Sequence, residues 1–298
     1  MNNYNEGQQS ELYSRIIALQ KSFLIKVSTF VLTDQKTRQL NTLKIDDVVN
    51  DAANLHHRGR NVALVTSGAI GTGKAASNYD YSRGDSLAIR QALAAIGQPN
   101  LMHHYKVQLS KHGINGGQIL LSYDDLENLE RKENFRNSVH ELWNRFRAIP
   151  ILNENDPVAT EEIKAAGSDN EDALKYGSGR RNFGDNDMLS AMAASALETE
   201  VMIMLSEKGG FLRNGNGSKF NVVDDISDLW KHVTDEKPED TRGGMRSKLQ
   251  ATEMAIKNGI YVIFLNGKEE RVVRRILEGE PLGTLFLPQK TLYMNRSN

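Results

Sequence analysis

The stretch that decides the fold reads Val62-Ala63-Leu64-Val65-Thr66-Ser67-Gly68-Ala69-Ile70-Gly71-Thr72-Gly73. Its first four residues form an apolar run of strand length, which predicts a strand buried on both faces. The glycine-rich run that follows directly predicts a tight turn from this strand into a helix. Small residues at such a turn let backbone N–H groups approach an anionic ligand closely, which indicates a protein that handles a phosphate.

The rest of the chain alternates between strand-like and helix-like segments, which predicts an α/β fold with a mainly parallel sheet flanked by helices. We expect Gly97-Gln98-Pro99 to separate two helices, and Gly209-Gly210 to open a hairpin or an excursion through Asn221. Further apolar runs of strand length occupy residues 23–27, 117–121, 148–152, 201–205, 261–265 and 284–287. Apolar residues at helical spacing occupy residues 43–57, 86–96, 101–109, 136–146, 187–197, 245–257 and 269–277.

The domain organisation predicted from composition is a single α/β domain between two short terminal segments. Residues 1–22 are polar and only weakly helical, so we expect an N-terminal extension that packs loosely or not at all. The domain should occupy residues 23–288, followed by a tail at 289–298. Within it, residues 161–183 combine little apolar content with many charged, Gly and Ser residues, which predicts a mobile loop.

Charge and composition exclude several classes of protein. The 37 basic and 38 acidic residues leave a net charge of −1, which argues against a general nucleic-acid binder. The chain has neither an apolar stretch long enough for a bilayer nor a hydrophobic signal core, so we expect a soluble, non-secreted, cytoplasmic protein without a membrane partner. The absence of cysteine excludes disulfides, thiolate nucleophiles and cysteine-based metal sites.

Two polar clusters lie at predicted element ends, where open α/β sheets bind ligands. Gly184-Asp185-Asn186-Asp187 precedes a predicted helix, and helix capping would explain one of its polar residues but not all three. Asn153-Glu154-Asn155-Asp156 follows a predicted strand directly. For this second cluster, a ligand site and a solvated loop are equally good interpretations.

Two further segments suggest anion binding. Gly68 to Lys74 nearly matches the phosphate-binding P-loop pattern, but Ala75 stands where a Ser or Thr should ligate magnesium. A turn that simply needs glycine is one alternative, and we favour a second, in which backbone N–H groups approach an anion closely. Arg242 to Lys248 opens a predicted helix with two arginines and a lysine, and the alternative is a basic helix start at the surface. The histidines show no metal spacing, so we expect surface or packing roles for them.

Several of these segments, in this order, resemble the glutamate 5-kinase branch of the amino acid kinase family. The resemblance extends from residue 23 to about residue 288, and its strongest stretches are 65–70, 91–98, 153–160, 184–191, 243–249 and 283–286. It implies a three-layer α/β/α sandwich of the carbamate kinase-like fold. It also implies ATP-dependent phosphorylation of the γ-carboxylate of L-glutamate to glutamyl 5-phosphate, the first step of proline biosynthesis.

The resemblance also implies roles for individual residues. The catalytic group would comprise Lys26, Lys248 and Asp187, with both lysines near the transferred phosphate and Asp187 orienting them. Glutamate would be bound by Ser67, Gly68, Asp156 and Asn186, with Asp156 facing its ammonium group. ATP would be bound by Lys26, Ser206, Glu207, Arg242, Gly243, Gly244, Met245, Arg246, Ser247 and Lys248. No protein residue is implied as a metal ligand, so Mg2+ would be carried by the ATP phosphates.

The sequence departs from the family pattern at the residues after Lys26. Ser28 stands where the family has glycine, and Phe30 introduces a phenyl ring where the family has a small hydroxyl residue. Either the loop is rearranged, or turnover is weakened or lost. Ser206-Glu207 replaces the usual Thr-Asp pair, which is a milder change.

Three functions therefore stay open at the level of the sequence: an active glutamate kinase, a regulatory protein with weakened catalysis, and a family member with another carboxylate or phosphate acceptor. The chain ends soon after the kinase region, so we expect neither the PUA module of many bacterial members nor the fused reductase of plant and animal enzymes. A separate glutamyl phosphate reductase would be the functional partner. The family also forms dimers and tetramers, which implies a homo-oligomer.

Overall fold

The computed structural model describes residues 6–34, 37, 39–77, 85–158, 186–207, 209–211, 221–232 and 245–289. The expected mobile loop at 161–183, the excursion at 212–220 and most of the C-terminal tail lie outside these residues.

The described elements alternate between strands and helices for most of the chain. The strands are β1 (Ser22–Val27), β2 (Asn61–Val65), β3 (Gly116–Leu121), β4 (Ile149–Glu154), β5 (Val201–Ser206), β6 (Val222–Val223), β7 (Tyr261–Asn266) and β8 (Thr284–Phe286). The α-helices are α1 (Glu6–Leu19), α2 (Thr29–Leu32), α3 (Thr42–His57), α4 (Ala69–Ser77), α5 (Leu87–Lys111), α6 (Tyr123–Glu127), α7 (Leu129–Asn144), α8 (Asn186–Ala196), α9 (Met245–Lys257) and α10 (Val272–Leu277). A 3-10 helix spans Ser227–His232.

Within the described residues, the strands form one sheet in the order β3-β4-β2-β1-β5-β7-β8-β6. The pairs from β3 through β7 are parallel, and β8 runs antiparallel to β7. The expected mainly parallel α/β sheet is confirmed. Because β1, β2, β4, β5 and β7 run in the same direction, their carboxyl ends meet at one edge of the sheet, and the loops after them share that edge.

The core lies on both faces of the sheet, which makes the fold a three-layer α/β/α sandwich. Successive residues of β1 alternate between the two layers: Phe23, Ile25 and Val27 join the cluster packed with α3 and α5, whereas Leu24 joins the cluster packed with α7, α8 and α9. Both kinds of residue are fully buried, which explains why the central strands are apolar without a polar alternation. The predicted architecture is therefore confirmed.

The expected break at Gly97-Gln98-Pro99 is wrong, because α5 continues through all three residues. Proline usually breaks a helix because it removes a backbone donor and crowds the preceding turn. Here tertiary packing outweighs that preference. A Cβ on Gly97 would lie 1.9 Å from the carbonyl oxygen of Ala69, and one on Gly73 would lie 1.8 Å from that of Leu93. The two glycines let α4 and α5 cross at backbone contact.

The same packing accounts for the near-match to the P-loop pattern. Gly73 and Lys74 lie within α4 rather than in a phosphate-binding loop, and Lys74 forms an ion pair with Asp85, just before α5. The glycine therefore serves helix packing. The predicted strand-to-helix turn is confirmed, but it comprises only residues 66–68, because α4 begins at Ala69.

The expectation of a loosely packed N-terminal extension is wrong for residues 6–19. Tyr13, Ile16 and Ile17 of α1 are buried in the core beside α10. The Tyr13 hydroxyl donates to the Leu282 carbonyl at 2.6 Å, and the Ser10 hydroxyl donates to the Gly279 carbonyl at 2.7 Å. The polar residues of this segment cover one face of α1, and the apolar residues at positions 13, 16 and 17 lie on the other. The mean composition of the segment is polar, so it did not indicate this buried face.

Candidate active site

The carboxyl edge of the sheet brings together three ionic side chains that lie far apart in the sequence. Lys26 is the penultimate residue of β1, Asp187 lies in the first turn of α8, and Lys248 lies in the first turn of α9. The Lys26 ammonium group donates to Asp187 Oδ1, and the Lys248 ammonium group donates to Asp187 Oδ2 at 2.9 Å. A single carboxylate thus holds both lysines.

The three ionic side chains are largely buried at the base of the site. Asp187 is 0% exposed and Lys26 is 2% exposed, whereas the Lys248 side chain retains 17% exposure. Within this group of three side chains, two cations face one anion in a low-dielectric environment. An anion that binds there is attracted more strongly than it would be at the protein surface.

Next to these charges lies a buried amide cluster, centred on Asn186. The side-chain Nδ2 of Asn186 donates to Ser67 Oγ at 2.8 Å, to the Thr66 carbonyl at 3.1 Å and to Asn153 Oδ1 at 3.2 Å. Asn153 in turn donates to Gln98 Oε1 at 2.7 Å. The cluster connects the ends of β2 and β4 to the start of α8, so the two polar segments of the sequence meet in space.

Two polar atoms of this cluster have no partner among the described residues. Asn186 Oδ1 can accept a hydrogen bond and Gln98 Nε2 can donate one, and both atoms are buried. An unsatisfied buried polar group costs about 1–3 kcal/mol. These atoms therefore provide a complementary acceptor and donor for a polar ligand.

A buried tyrosine supports the cluster from the α5 side. The hydroxyl groups of Tyr105 and Thr66 lie 2.9 Å apart, and Tyr105 is fully buried. Burial raises the pKa of Tyr105, so its hydroxyl group stays protonated at neutral pH. The Thr66 carbonyl accepts from Asn186, so Tyr105 fixes the backbone on which Asn186 and Ser67 depend.

Asp156 follows β4 at the same edge and is 7% exposed. Burial raises the pKa of its carboxyl group from 3.8 to about 6, and the nearby charge of Arg90 opposes this rise. Arg90, on α5, is itself 6% exposed. The carboxyl group is therefore largely ionised at neutral pH, but a small fall in pH protonates it.

The residues expected to bind ATP lie on the opposite half of the edge. Ser206 ends β5 and is 8% exposed, and Glu207 directly after it is exposed. Met245, Arg246, Ser247 and Lys248 form the first turn of α9, and the Arg246 guanidinium lies 5.9 Å from the centre of the Trp230 ring. Arg242, Gly243 and Gly244 lie outside the described residues.

The departure from the family pattern at Ser28 produces no backbone strain. Ser28 has φ −76° and ψ 154°, which is an ordinary extended conformation, and the chain then enters the short helix α2. Its hydroxyl group is buried and has no partner among the described residues. Ser28 is therefore accommodated in this loop without a conformation that requires glycine.

Several residues of the site were given no individual role by the sequence. Thr66, Gln98, Asn153 and Tyr105 complete the amide cluster, and Arg90 faces Asp156. Asn153 lay in a polar cluster that had been singled out, and Gln98 lay in a stretch that carried the resemblance. The sequence did not indicate a site role for Arg90 or Tyr105. A buried polar residue in an amphipathic helix cannot be distinguished from an ordinary core or surface residue by sequence until its partner is known.

Neither a protein-bound metal nor a membrane span emerges from the described part of the chain. None of its His, Asp and Glu residues form a group of three or more that could hold a metal ion. None of its helices combines the length and apolar character needed to cross a bilayer.

Comparison with known proteins identifies the class. Residues 21–266 match the profile described as Amino acid kinase family, and the chain belongs to that family. It is accordingly a kinase.

The relatives place the chain within the family more narrowly. It is 33% identical over 288 residues to a protein named glutamate 5-kinase from Methanococcoides burtonii, covering 94% of this chain and 72% of that protein. It is 35% identical to the glutamate 5-kinase of Clostridium acetobutylicum, covering 89% of this chain and 94% of that protein. With the Enterococcus faecalis glutamate 5-kinase it shares 34% identity, covering 90% and 94% respectively.

Solved structures support the fold assignment. The UMP kinase of Bacillus anthracis superposes with a TM-score of 0.56 at 19% identity, covering 90% of this chain and 96% of that one. The UMP kinase of Ureaplasma parvum gives a TM-score of 0.53 at 12% identity, covering 90% and 99%. At these identities the likeness establishes the shared fold alone, which agrees with the predicted carbamate kinase-like architecture.

Proposed function

We propose that this protein transfers the γ-phosphoryl group of ATP to the γ-carboxylate of L-glutamate, giving glutamyl 5-phosphate and ADP, in the first step of proline biosynthesis. The observation that carries the proposal is the convergence of Lys26 and Lys248 on the two oxygens of the buried Asp187. The relatives named glutamate 5-kinase support the choice of acceptor.

The reaction suits a site without a general base. A glutamate γ-carboxylate has a reference pKa near 4.3 and is already ionised at neutral pH, so no proton has to be removed. One carboxylate oxygen attacks the γ-phosphorus as the bond to the β,γ-bridging oxygen breaks, and ADP leaves with that electron pair. The barrier arises from repulsion between two anions, which positive charge and positioning reduce.

Lys26 and Lys248 would supply that positive charge at the transferred phosphoryl group. Asp187 would act as a positioning residue, because it fixes both ammonium groups in a pre-organised arrangement before the substrate binds. Removing one such electrostatic donor costs about 100- to 1000-fold in kcat in well-studied sites.

Glutamate would lie against the amide cluster on the β2 and β4 side. Asn186 Oδ1, Ser67 and the backbone at Gly68 would bind its polar groups, and Asp156 would pair with its ammonium group. The raised pKa of Asp156 is consistent with a buried carboxylate that lacks a fully neutralising partner until a cation binds.

ATP would lie against Ser206, Glu207 and the segment from Arg242 to Lys248. Magnesium would be carried by its phosphates, and Asp187, whose two oxygens accept from Lys26 and Lys248, would orient these lysines. Bound magnesium would neutralise part of the charge that develops on the β- and γ-phosphates.

A hydroxylamine trap tests the proposal. The protein is incubated with ATP, magnesium, L-glutamate and hydroxylamine, and glutamyl hydroxamate is measured. We expect hydroxamate formation that depends on glutamate and is not supported by aspartate or N-acetylglutamate, and no release of ADP when UMP replaces glutamate. No hydroxamate under conditions in which a glutamate 5-kinase control is active would contradict the proposal.

The product and the family suggest partners. An acyl phosphate hydrolyses readily, so we expect a separate glutamyl phosphate reductase to consume it. A homodimer or homotetramer is the expected oligomeric state, and sedimentation equilibrium of the purified protein measures it directly.

A further inference from the structure

A third lysine, Lys268, lies at the carboxyl edge of the sheet and packs over the ring of Phe30. The Lys268 ammonium group stands 3.8 Å from the centre of the Phe30 ring, within the range of a cation–π contact. Lys268 is exposed and forms no ion pair with any of the described residues. Phe30 is half-buried, and it is the bulky residue that departs from the family pattern.

The turn that carries Lys268 is firmly held. The Gly267 amide donates to the Ser206 carbonyl at 2.9 Å, and the Lys268 amide donates to Asn266 Oδ1 at 3.1 Å. A Cβ on Gly267 would lie 2.5 Å from a methyl group of Val31, so only glycine allows this approach to α2. On the other side, Lys44 donates to the Glu269 carbonyl at 3.1 Å.

Strand register places this turn beside the proposed ATP site. Lys26 pairs with Met204, which pairs with Phe264, and Ser206 at the end of β5 pairs with Asn266. Adjacent strands lie about 4.8 Å apart, so β1 and β7 are separated by roughly 10 Å across β5. Lys268 therefore lies just beyond the same edge, next to a residue expected to bind ATP.

The three lysines approach this edge from both faces of the sheet. Lys26 points to the same face as Leu24, towards α8 and α9, where Asp187 and Lys248 lie. Val31 and Leu32 of α2 pack on the opposite face, with α3. A phosphate chain lying along the edge would meet Lys26 and Lys248 on one side and Lys268 on the other.

We infer that Lys268 binds the phosphates of the nucleotide and that Phe30 positions it for this contact. The inference rests on the proposed kinase activity and adds a binding residue to it. A cation–π contact limits where the flexible lysine side chain can lie without neutralising its charge, so the ammonium group stays available to an anion. Phe30 then has a defined role in the loop after β1.

The test compares Lys268→Met, Phe30→Leu and their double variant with Lys257→Met, a control at an exposed lysine on α9 that pairs with Glu253. We expect Lys268→Met to raise the KM for MgATP about tenfold, with the KM for glutamate unchanged and kcat within about threefold. Phe30→Leu should raise the KM for MgATP by a smaller factor, and the double variant should resemble Lys268→Met alone. Lys257→Met should behave as wild type.

Direct titration of ATP into each variant separates this inference from the proposed function. If wild-type protein forms no hydroxamate but Lys268→Met still binds ATP about tenfold more weakly, the choice of acceptor fails and the role of Lys268 stands. If wild type is active and Lys268→Met binds ATP within twofold of wild type, the inference is overturned. An ATP affinity of Phe30→Leu equal to that of wild type would overturn the positioning role of Phe30.

Discussion

Lys248 and Asp187 form an ion pair of 2.9 Å in which the carboxylate is fully buried and the lysine side chain keeps 17% exposure. Lys248 can therefore reach a ligand without breaking the contact that orients it. Replacing Lys248 with Met leaves Asp187 paired with Lys26, so the fold should tolerate the change.

We expect Lys248→Met to lower kcat for hydroxamate formation about 100-fold or more, because it removes a charge that acts on the transferred phosphoryl group. Glutamate affinity, measured by calorimetry, should stay within about threefold of wild type. Lys257→Met on the same helix is the matched control and should leave both quantities unchanged. Equal losses of turnover and glutamate affinity in Lys248→Met would show that its role has been misassigned.

Glutamate binding should weaken at acid pH, because burial raises the pKa of Asp156 to about 6. An ammonium partner favours the ionised carboxylate, so affinity should be full above this pKa and fall about tenfold per pH unit below it. The folding stability of the free protein should show the opposite trend with pH. Because the pKa of Asp156 is raised on folding, its contribution to stability is full below pH 3.8 and falls as pH rises towards 6. Calorimetry between pH 5 and 8 measures the affinity.

The control for this pH dependence is Asp156→Asn, which should bind glutamate weakly with a flat profile over the same range. A wild-type profile that is equally flat would exclude Asp156 as the ammonium partner.

Tyr105→Phe should affect the glutamate site although Tyr105 is expected to touch no substrate. The change removes the hydroxyl contact to Thr66, whose hydroxyl group keeps its hydrogen bond to the Ser67 carbonyl, so the cost in stability should be about 1 kcal/mol. We expect a several-fold rise in the KM for glutamate with kcat and the KM for ATP nearly unchanged. If the variant lost stability but kept both KM values of wild type, Tyr105 would have only a structural role and the prediction would be wrong.

Ser28→Gly distinguishes an active enzyme from a catalytically weakened relative. Ser28 adopts a conformation open to any residue, so glycine relieves no strain, and we expect kcat within about threefold of wild type. A rise of tenfold or more would favour the alternative in which the departure at this position weakens catalysis. The hydroxamate assay measures both outcomes.

The sequence alone predicted the sheet well and the site only in part. The central strands could be recognised because a strand buried on both faces is a continuous apolar run, as at residues 62–65 and 201–205. The continuity of α5 could not be predicted, since it depends on the approach of Gly73 and Gly97, which no local propensity records. The buried stripe of α1 was missed because three apolar residues are outweighed in a polar segment.

Partners across the site are separated by too much sequence for spacing to connect them. Lys26 and Asp187 lie 161 residues apart, and Asn186 and Thr66 lie 120 apart. Only resemblance to a family could group these residues in advance. The contacts of Tyr105 and Lys268 depend on how helices and turns pack, so they required a three-dimensional structure.

A crystal structure with L-glutamate, magnesium and a non-hydrolysable ATP analogue tests the central claim most directly. The account predicts that the ammonium groups of Lys26 and Lys248 both lie about 3 Å from the terminal phosphate or its bridging oxygen while Asp187 still contacts both lysines. A terminal phosphate bound elsewhere, with either lysine directed away from it, would contradict the account.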